Sequence, residues 1–223
     1  LWHIMKIYSY YGFNDFVIAL GVKGHLIKDY FLHYELYNQN ITKNLSTGDI
    51  KFHGNSNEEW NVTLVDTGLN TLKGARLKLI QPFLSEKTNL LTYGDGLADV
   101  DIKKSVQFHL DHGKLITLTG VKPSARFGEL SEKNGIVKSF EEKPKFTTGL
   151  INGGFMVFND QIFDHLTTDQ DCDLEYGALE NLAKEGQVMV YKHDSIWRCM
   201  DVEQDVVNLN SLWDKGGAFW KVW

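Results

Sequence analysis

Residues 90–101 read LLTYGDGLADVD. A run of apolar, strand-forming residues stops at Gly94-Asp95-Gly96, and two further aspartates, Asp99 and Asp101, follow within six residues of Asp95. A strand that ends in this way presents a carboxylate at its carboxyl end, flanked by glycines that let a backbone or a ligand come close. That position is where α/β proteins hold their ligands.

Outward from this stretch the chain alternates. Upstream, LWHIMKIYSYYG has helical spacing that ends at Gly12, and DFVIALG reads as a buried strand. KGHLIKDYFLHYEL returns to helix spacing, a polar stretch leads to DIKFHG, and the β-branched residues of WNVTLVDTG favour a strand. LKGARLKLIQPFL follows as a helix. Downstream, DIKKSVQFHLDHGK is a helix opened by acids in its first turn, and LITLTGVK is a strand. The βαβα rhythm calls for an α/β fold with a mainly parallel sheet flanked by helices and right-handed crossovers. After Pro123 the rhythm changes. FGELSEKNGIVKSFEEKP predicts two strands joined at Asn134-Gly135, and LINGGFMVFN a strand with a double glycine. A helix over LEYGALENLAKEG, the strand-like QVMVYKHDSIWRCMD and a terminal helix rich in Trp complete an α+β elaboration in the C-terminal half.

At 223 residues with 43% apolar content the chain can bury a real core, and nothing marks a linker, so residues 1–223 read as a single domain. A formal net charge of −6 leaves no broad basic face and argues against nucleic acid as a partner. No apolar run approaches the roughly 20 residues of a membrane span, and no signal peptide is visible. Cys172 and Cys199 stand in unrelated contexts without a metal-ligand neighbour at useful spacing, which fits a reducing cytoplasm. The chain opens in mid-helix pattern without a cap, so its start reads as a cut.

Mg²⁺ takes hard oxygen ligands, commonly one or two carboxylates with substrate phosphates. Asp95 is the first candidate ligand, and Asp201, closing SIWRCMD, is the second. The alternative is that each aspartate caps the helix that follows its strand. Asp99-Val100-Asp101 forms a D-x-D, which admits a metal-dependent glycosyltransferase, although Asp101 stands where a helix cap is needed. Asp169, Asp171 and Asp173 with Glu180 imitate a calcium loop, but Leu174 occupies the place of the required glycine, so they read as an acidic helix start. Lys143, extended before Pro144, and Arg76, in a glycine-containing helix start, are cations suited to phosphate. His109 and His112 share a helix face and read as surface residues. The six tryptophans, crowded toward the C-terminus, suit core or subunit contact. The glycines of INGG suggest close approach to the strand.

In order, WNVTLVDTG, GARLK, TYGDGLAD, FEEKP, INGGF and WRCMD resemble the sugar-1-phosphate nucleotidylyltransferases, over essentially the whole chain. The resemblance implies a Rossmann-like domain that joins CTP and α-D-glucose 1-phosphate to give CDP-glucose and pyrophosphate with Mg²⁺. It implies a cytoplasmic homo-oligomer serving nucleotide-sugar and O-antigen or lipopolysaccharide biosynthesis. Asp95 and Asp201 would hold the metal, with Asp95, Lys143 and Asp201 central to catalysis. Glu142 and Lys143 would bind the sugar phosphate, Asn152, Gly153 and Gly154 the sugar hydroxyls, Gly94 would let substrate approach, and Arg76 would lie by the nucleotide. The family's opening G-G-x-G-T-R-L loop and K-P-x-P segment are not in these 223 residues, so the chain reads as truncated at its N-terminal side relative to the family. A non-catalytic nucleotide-sugar or phosphosugar-binding module is therefore a second reading, and the glycosyltransferase a third.

Overall fold

The computed structural model describes residues 1–54, 58–123, 129–141 and 149–223. In chain order the elements begin with α1 (Trp2–Tyr10), β1 (Asp15–Leu20), α2 (Gly24–Leu32), α3 (Tyr34–Asn38), β2 (Asn40–Lys43) and β3 (Ile50–His53). Next come β4 (Asn61–Asp66), α4 (Lys73–Ile80), β5 (Thr88–Thr92), β6 (Gly96–Ala98), α5 (Ile102–His112) and β7 (Ile116–Val121). The chain ends with β8 (Glu129–Lys133), β9 (Ile136–Glu141), β10 (Ile151–Asn159), α6 (Glu180–Lys184), β11 (Val188–His193), β12 (Trp197–Cys199) and α7 (Glu203–Asp214). Among the described residues, no helix is long and apolar enough to cross a membrane.

These elements form two compact units. The first holds residues 1–13, 86–162 and 179–223, and is built on a four-stranded sheet in the order β11–β7–β10–β5. β11 runs parallel to β7, whereas β10 runs antiparallel to both β7 and β5. Strands β5, β7 and β11 therefore share one direction, and β10 alone opposes them. Gly153 to Phe158 are buried without interruption, as a strand covered on both faces requires. Tyr8 of α1 stacks on Phe155 with ring centroids 6.1 Å apart, and Ile102, Ser105 and His109 of α5 are buried as well. Asp101 lies just outside α5 as its N-cap and accepts from the Lys104 N–H at 3.0 Å; the first turn itself holds no acid, contrary to expectation. The Asn134-Gly135 turn between β8 and β9 has φ of 55° and 77°, the left-handed pair that the dipeptide favours.

Three readings change here. His109 is buried rather than superficial: its Nδ1 and the Nε2 of His112 stand 2.9 and 2.7 Å from Thr117 Oγ1 in β7. The helix expected over residues 174–186 is broken, because Gly177 takes φ 123° and only residues 180–184 form a regular helix. The terminal helix α7 contains one tryptophan, Trp213; Trp220 and Trp223 follow it and close an aromatic cluster with Trp2 and His3. Trp220 is buried, which assigns it to the core.

The second unit holds residues 14–85 and 163–178. β1 and β4 pair in parallel from Asp15↔Asn61 to Leu20↔Asp66, and β1 is half-buried along most of its length. The polar stretch before DIKFHG contains β2, which pairs with β3 as a hairpin. Its turn is held by Asn44 Oδ1, which accepts from the N–H groups of Ser46 and Thr47. Helix α4 gives way at Pro82 to a single 3₁₀ turn, since proline supplies no N–H to continue the ladder.

Candidate active site

In the first unit, β6 and β12 form a short antiparallel ladder, Gly96↔Cys199, Leu97↔Arg198 and Ala98↔Trp197. Asp95 immediately precedes β6, and Asp201 follows β12 by two residues. Met200 donates its N–H to the Asp95 carbonyl at 2.9 Å, which extends the pairing by one step. One ligand atom from each of Asp95, Cys199 and Asp201 lies within 4.8 Å of the other two. The two aspartates are exposed and the cysteine is half-buried. The expected pairing of Asp95 with Asp201 is thus present as geometry.

The sequence reading left Cys199 with no metal-ligand neighbour at useful spacing, and the structure corrects it: the thiol stands beside Asp95 and Asp201. Its Sγ donates to Asp201 Oδ1 at 2.9 Å. Burial, this hydrogen bond and the negative charges of Asp95 and Asp201 push the thiol up to about 12. It therefore stays protonated at neutral pH and orients the Asp201 carboxylate. The signal was the spacing Cys199-Met200-Asp201, because residues i and i+2 of an extended chain share a face. Two carboxylates on fixed strand ends, open to solvent on the side where phosphate oxygens can complete the coordination, suit a hard divalent cation. Asp201 and Val202 donate their N–H groups to Asp205 Oδ2 at 3.1 and 3.2 Å, which fixes the turn into α7.

The glycines around these carboxylates have different reasons. A Cβ at Gly94 would meet nothing within 4 Å, so that face is open. A Cβ on Gly96 would come 3.3 Å from Trp197 Nε1, which donates to the Gly153 carbonyl at 2.9 Å. In β10 a Cβ at Gly153 would lie 2.6 Å from Val121 Cγ1, and Gly154 has φ 79° with Tyr93 against it. The register of β10 against β7 shifts between Asn152 and Met156, so the double glycine forms a bulge. The Asn152 side-chain carbonyl accepts from the Gly154 N–H at 3.0 Å and holds that bulge. β10 runs opposite to β5, and this brings its opening residues to the sheet end where Tyr93 leads to Asp95: Tyr93 donates to the Gly154 carbonyl at 3.2 Å.

A cavity of about 500 Å³ adjoins Asp201. Trp197, Arg198, Cys199 and Asp201 line one side, and Asp205, Asn208 and Leu209 of α7 line another.

In the second unit, Arg76 of α4 donates from Nη1 to the Leu20 carbonyl at 3.1 Å and to Thr67 Oγ1 at 2.6 Å, and from Nη2 to the Leu69 carbonyl at 3.3 Å. It therefore ties the carboxyl ends of β1 and β4, and Gly21 leaves it room. The start of α4 is not a vacant anion site as expected. Leu72 and Ala75 donate to the carbonyls of Gln170 and Cys172, and a Cβ on Gly74 would stand 2.9 Å from that backbone. Asp173 Oδ1 accepts from the N–H groups of Glu175 and Tyr176 in a local turn; the acidic helix start expected there opens no regular helix, because Tyr176 and Gly177 leave helical φ/ψ. Glu142 and Lys143 lie outside the described residues.

The D-x-D aspartates are both engaged by the fold, Asp101 as the cap of α5 and Asp99 with His193 and Ser195. Among the described residues, neither belongs to the group of ligand atoms formed by Asp95, Cys199 and Asp201.

Comparison with known proteins accords with this arrangement. The chain is 44% identical over 224 residues to the glucose-1-phosphate cytidylyltransferase of Salmonella typhimurium, covering 100% of this chain and 87% of that protein. It is equally 44% identical, with the same coverage, to the glucose-1-phosphate cytidylyltransferase of Salmonella typhi. The fold is similar to that of the inositol-1-phosphate CTP transferase from T. maritima, with a TM-score of 0.62, 15% identity, and 99% of this chain and 82% of that chain covered. Residues 39–218 match the nucleotidyl transferase family, so the chain belongs to that family.

Proposed function

We propose that the chain transfers the cytidylyl group of CTP to α-D-glucose 1-phosphate. A phosphate oxygen of the sugar attacks the α-phosphorus of CTP in line, the bond to the bridging oxygen breaks, and pyrophosphate leaves with CDP-glucose as the other product. The observation that carries this reading is the convergence of Asp95 and Asp201 at the β6–β12 end, in a chain 44% identical along its whole length to a glucose-1-phosphate cytidylyltransferase.

Both reactants are anions, so catalysis rests on positioning and on neutralising charge rather than on a protein nucleophile. Asp95 and Asp201 hold Mg²⁺, which when bound offsets the negative charge of the triphosphate. Lys143 and Glu142 take the sugar phosphate, and the backbone of Asn152–Gly154 faces the sugar. Gly94 leaves the approach open. Arg76 enters by fixing the ends of β1 and β4, the kind of strand end at which α/β proteins receive nucleotides. Residues 1–223 act as one nucleotidyltransferase domain, in a cytoplasmic homo-oligomer that supplies nucleotide sugar for O-antigen or lipopolysaccharide synthesis.

The test is pyrophosphate release from CTP, UTP or dTTP with glucose 1-phosphate and Mg²⁺, alongside sugar transfer from preformed CDP-glucose. Release should require both substrates and the metal, with kcat/KM for CTP about tenfold or more above the other nucleotides. Lys143→Ala should raise the KM for glucose 1-phosphate about ten- to a hundredfold and that for CTP much less. Comparable use of UTP would remove the cytidylyl assignment and leave nucleotidyl transfer. Binding without turnover would remove the enzymatic reading.

A further inference from the structure

The two strands that carry the carboxylates are three residues long and form a two-stranded sheet of their own. A ladder of three rungs offers few hydrogen bonds to hold its register, and a slip by one residue would turn the buried Gly96 and Ala98 of β6 to the other face. Fastenings beyond the ladder add to that register.

At the carboxylate end the Met200 N–H to the Asp95 carbonyl is one fastening. The other end is closed by side chains. Asp99 follows β6 directly, while His193 and Ser195 lie just before β12. Ser195 Oγ donates to Asp99 Oδ2 at 3.0 Å, while His193 Nε2 lies 3.2 Å from Asp99 Oδ1 without hydrogen-bond geometry, an ion pair only when the imidazole is protonated. His193 is buried and is the last residue of β11, in register with Val121 of the central sheet. The Asp99 carboxylate thus ties the strand that begins after Asp95 to the segment that leads to Asp201, beside the end of β11 in the main sheet.

The geometry points to Asp99 as a positioning residue for the cation pair: held by Ser195, it helps set the β6–β12 register that brings Asp201 against Asp95. It acts through the ladder and touches neither substrate nor metal. A slip of one residue would carry Asp201 about 3.4 Å along the strand and separate donor atoms now within 4.8 Å of one another. This inference rests on the reading of Asp95 and Asp201 as the cation site.

The experiment measures Mn²⁺ binding to the full chain without substrates, from the electron paramagnetic resonance of free Mn²⁺. Thermal unfolding is recorded for each variant. Asp201→Asn reports on the cation site and should weaken binding tenfold or more. Asp99→Ala should weaken it by about tenfold, in the range known for residues that orient metal ligands. Asp99→Asn, whose amide oxygen can still accept from Ser195, should stay within about threefold of the parent. Parent-like affinity in Asp99→Ala beside impaired Asp201→Asn would overturn the positioning role alone. Parent-like affinity in Asp201→Asn would overturn the cation site itself. If Asp99→Ala does not fold, Ser195→Ala removes only one exposed hydroxyl and decides the matter: several-fold weaker Mn²⁺ binding supports the role, and unchanged binding overturns it.

Discussion

The backbone N–H of Met200 reaches the carbonyl of Asp95 at 2.9 Å, one step beyond the last rung of the β6–β12 ladder. The two segments run in opposite directions, so a main-chain bond, independent of side-chain identity, keeps the carboxylates of Asp95 and Asp201 on neighbouring ends. Charge at these positions can therefore be altered without dismantling the geometry.

Asp95→Asn and Asp201→Asn should each lower kcat/KM on the order of a hundredfold or more, since an amide keeps the shape but not the charge that attracts a divalent cation. Both side chains are exposed, so stability should change by no more than about 0.5 kcal/mol. Steady-state rates across a Mg²⁺ series, with urea unfolding of the same samples, check both halves.

Cys199 should be a slow thiol. With its pKa pushed up to about 12, its thiolate fraction at pH 8 is roughly a thousandfold below that of an ordinary cysteine. The greater intrinsic nucleophilicity of a basic thiolate returns about half of this on a logarithmic scale, leaving labelling some tens of times slower. Iodoacetamide labelling followed by peptide mass mapping measures it. Asp201→Asn should speed the labelling, because it removes one of the charges that oppose the thiolate.

Arg76→Lys should destabilise the fold by about 2 kcal/mol. An ammonium cannot reproduce the fork that meets the Leu20 carbonyl, the Thr67 hydroxyl and the Leu69 carbonyl together. Urea unfolding gives the value.

Acid should weaken the protein through His109. Its pKa is held below the ordinary histidine value by burial; that of His112 is lowered by burial and then by the charges of His109 and Lys114. A histidine with a lowered folded pKa leaves stability intact above its unfolded value. As pH falls below about 6.5 the unfolded chain takes up the proton first, and stability declines by up to about 1.4 kcal/mol per pH unit for each such imidazole. His109→Gln should flatten the limb between pH 6.5 and 5 in a series of unfolding curves.

What the sequence disclosed was mostly local. The Asn134-Gly135 turn, the Asp101 cap and the strand that stops at Gly94-Asp95-Gly96 follow from φ preferences, short side-chain hydrogen bonds and apolar runs within a few residues. Asp95 and Asp201 were paired as two strand-end carboxylates suited to a hard cation, and the resemblance carried by separated motifs gave the same pair. Cys199 was denied a metal-ligand neighbour because the i+2 spacing to Asp201 was passed over and Asp95 is brought to it only by the pairing of β6 with β12, about a hundred residues apart in the chain. His109 was misplaced because helical spacing does not say which face meets Thr117. The glycine-containing helix start around Arg76 was read as suited to anions, whereas the missing side chain of Gly74 admits the backbone of Cys172 and Asp173, a partner no local pattern announces.

The antiparallel strand β10 has a bearing on how the protein is made. It lies between β7 and β5, yet it is synthesised about thirty residues after the first and sixty after the second, and β11, on the other side of β7, comes later still. On the ribosome, β5 and β7 emerge without the strand that joins them, each with unpaired main-chain groups and apolar faces. The first unit is also interrupted in sequence, since residues 14–85 and 163–178 belong to the second. A nascent chain halted before residue 151 thus carries open edges that only later synthesis can close, a stretch of translation in which slow, long-range pairing competes with aggregation.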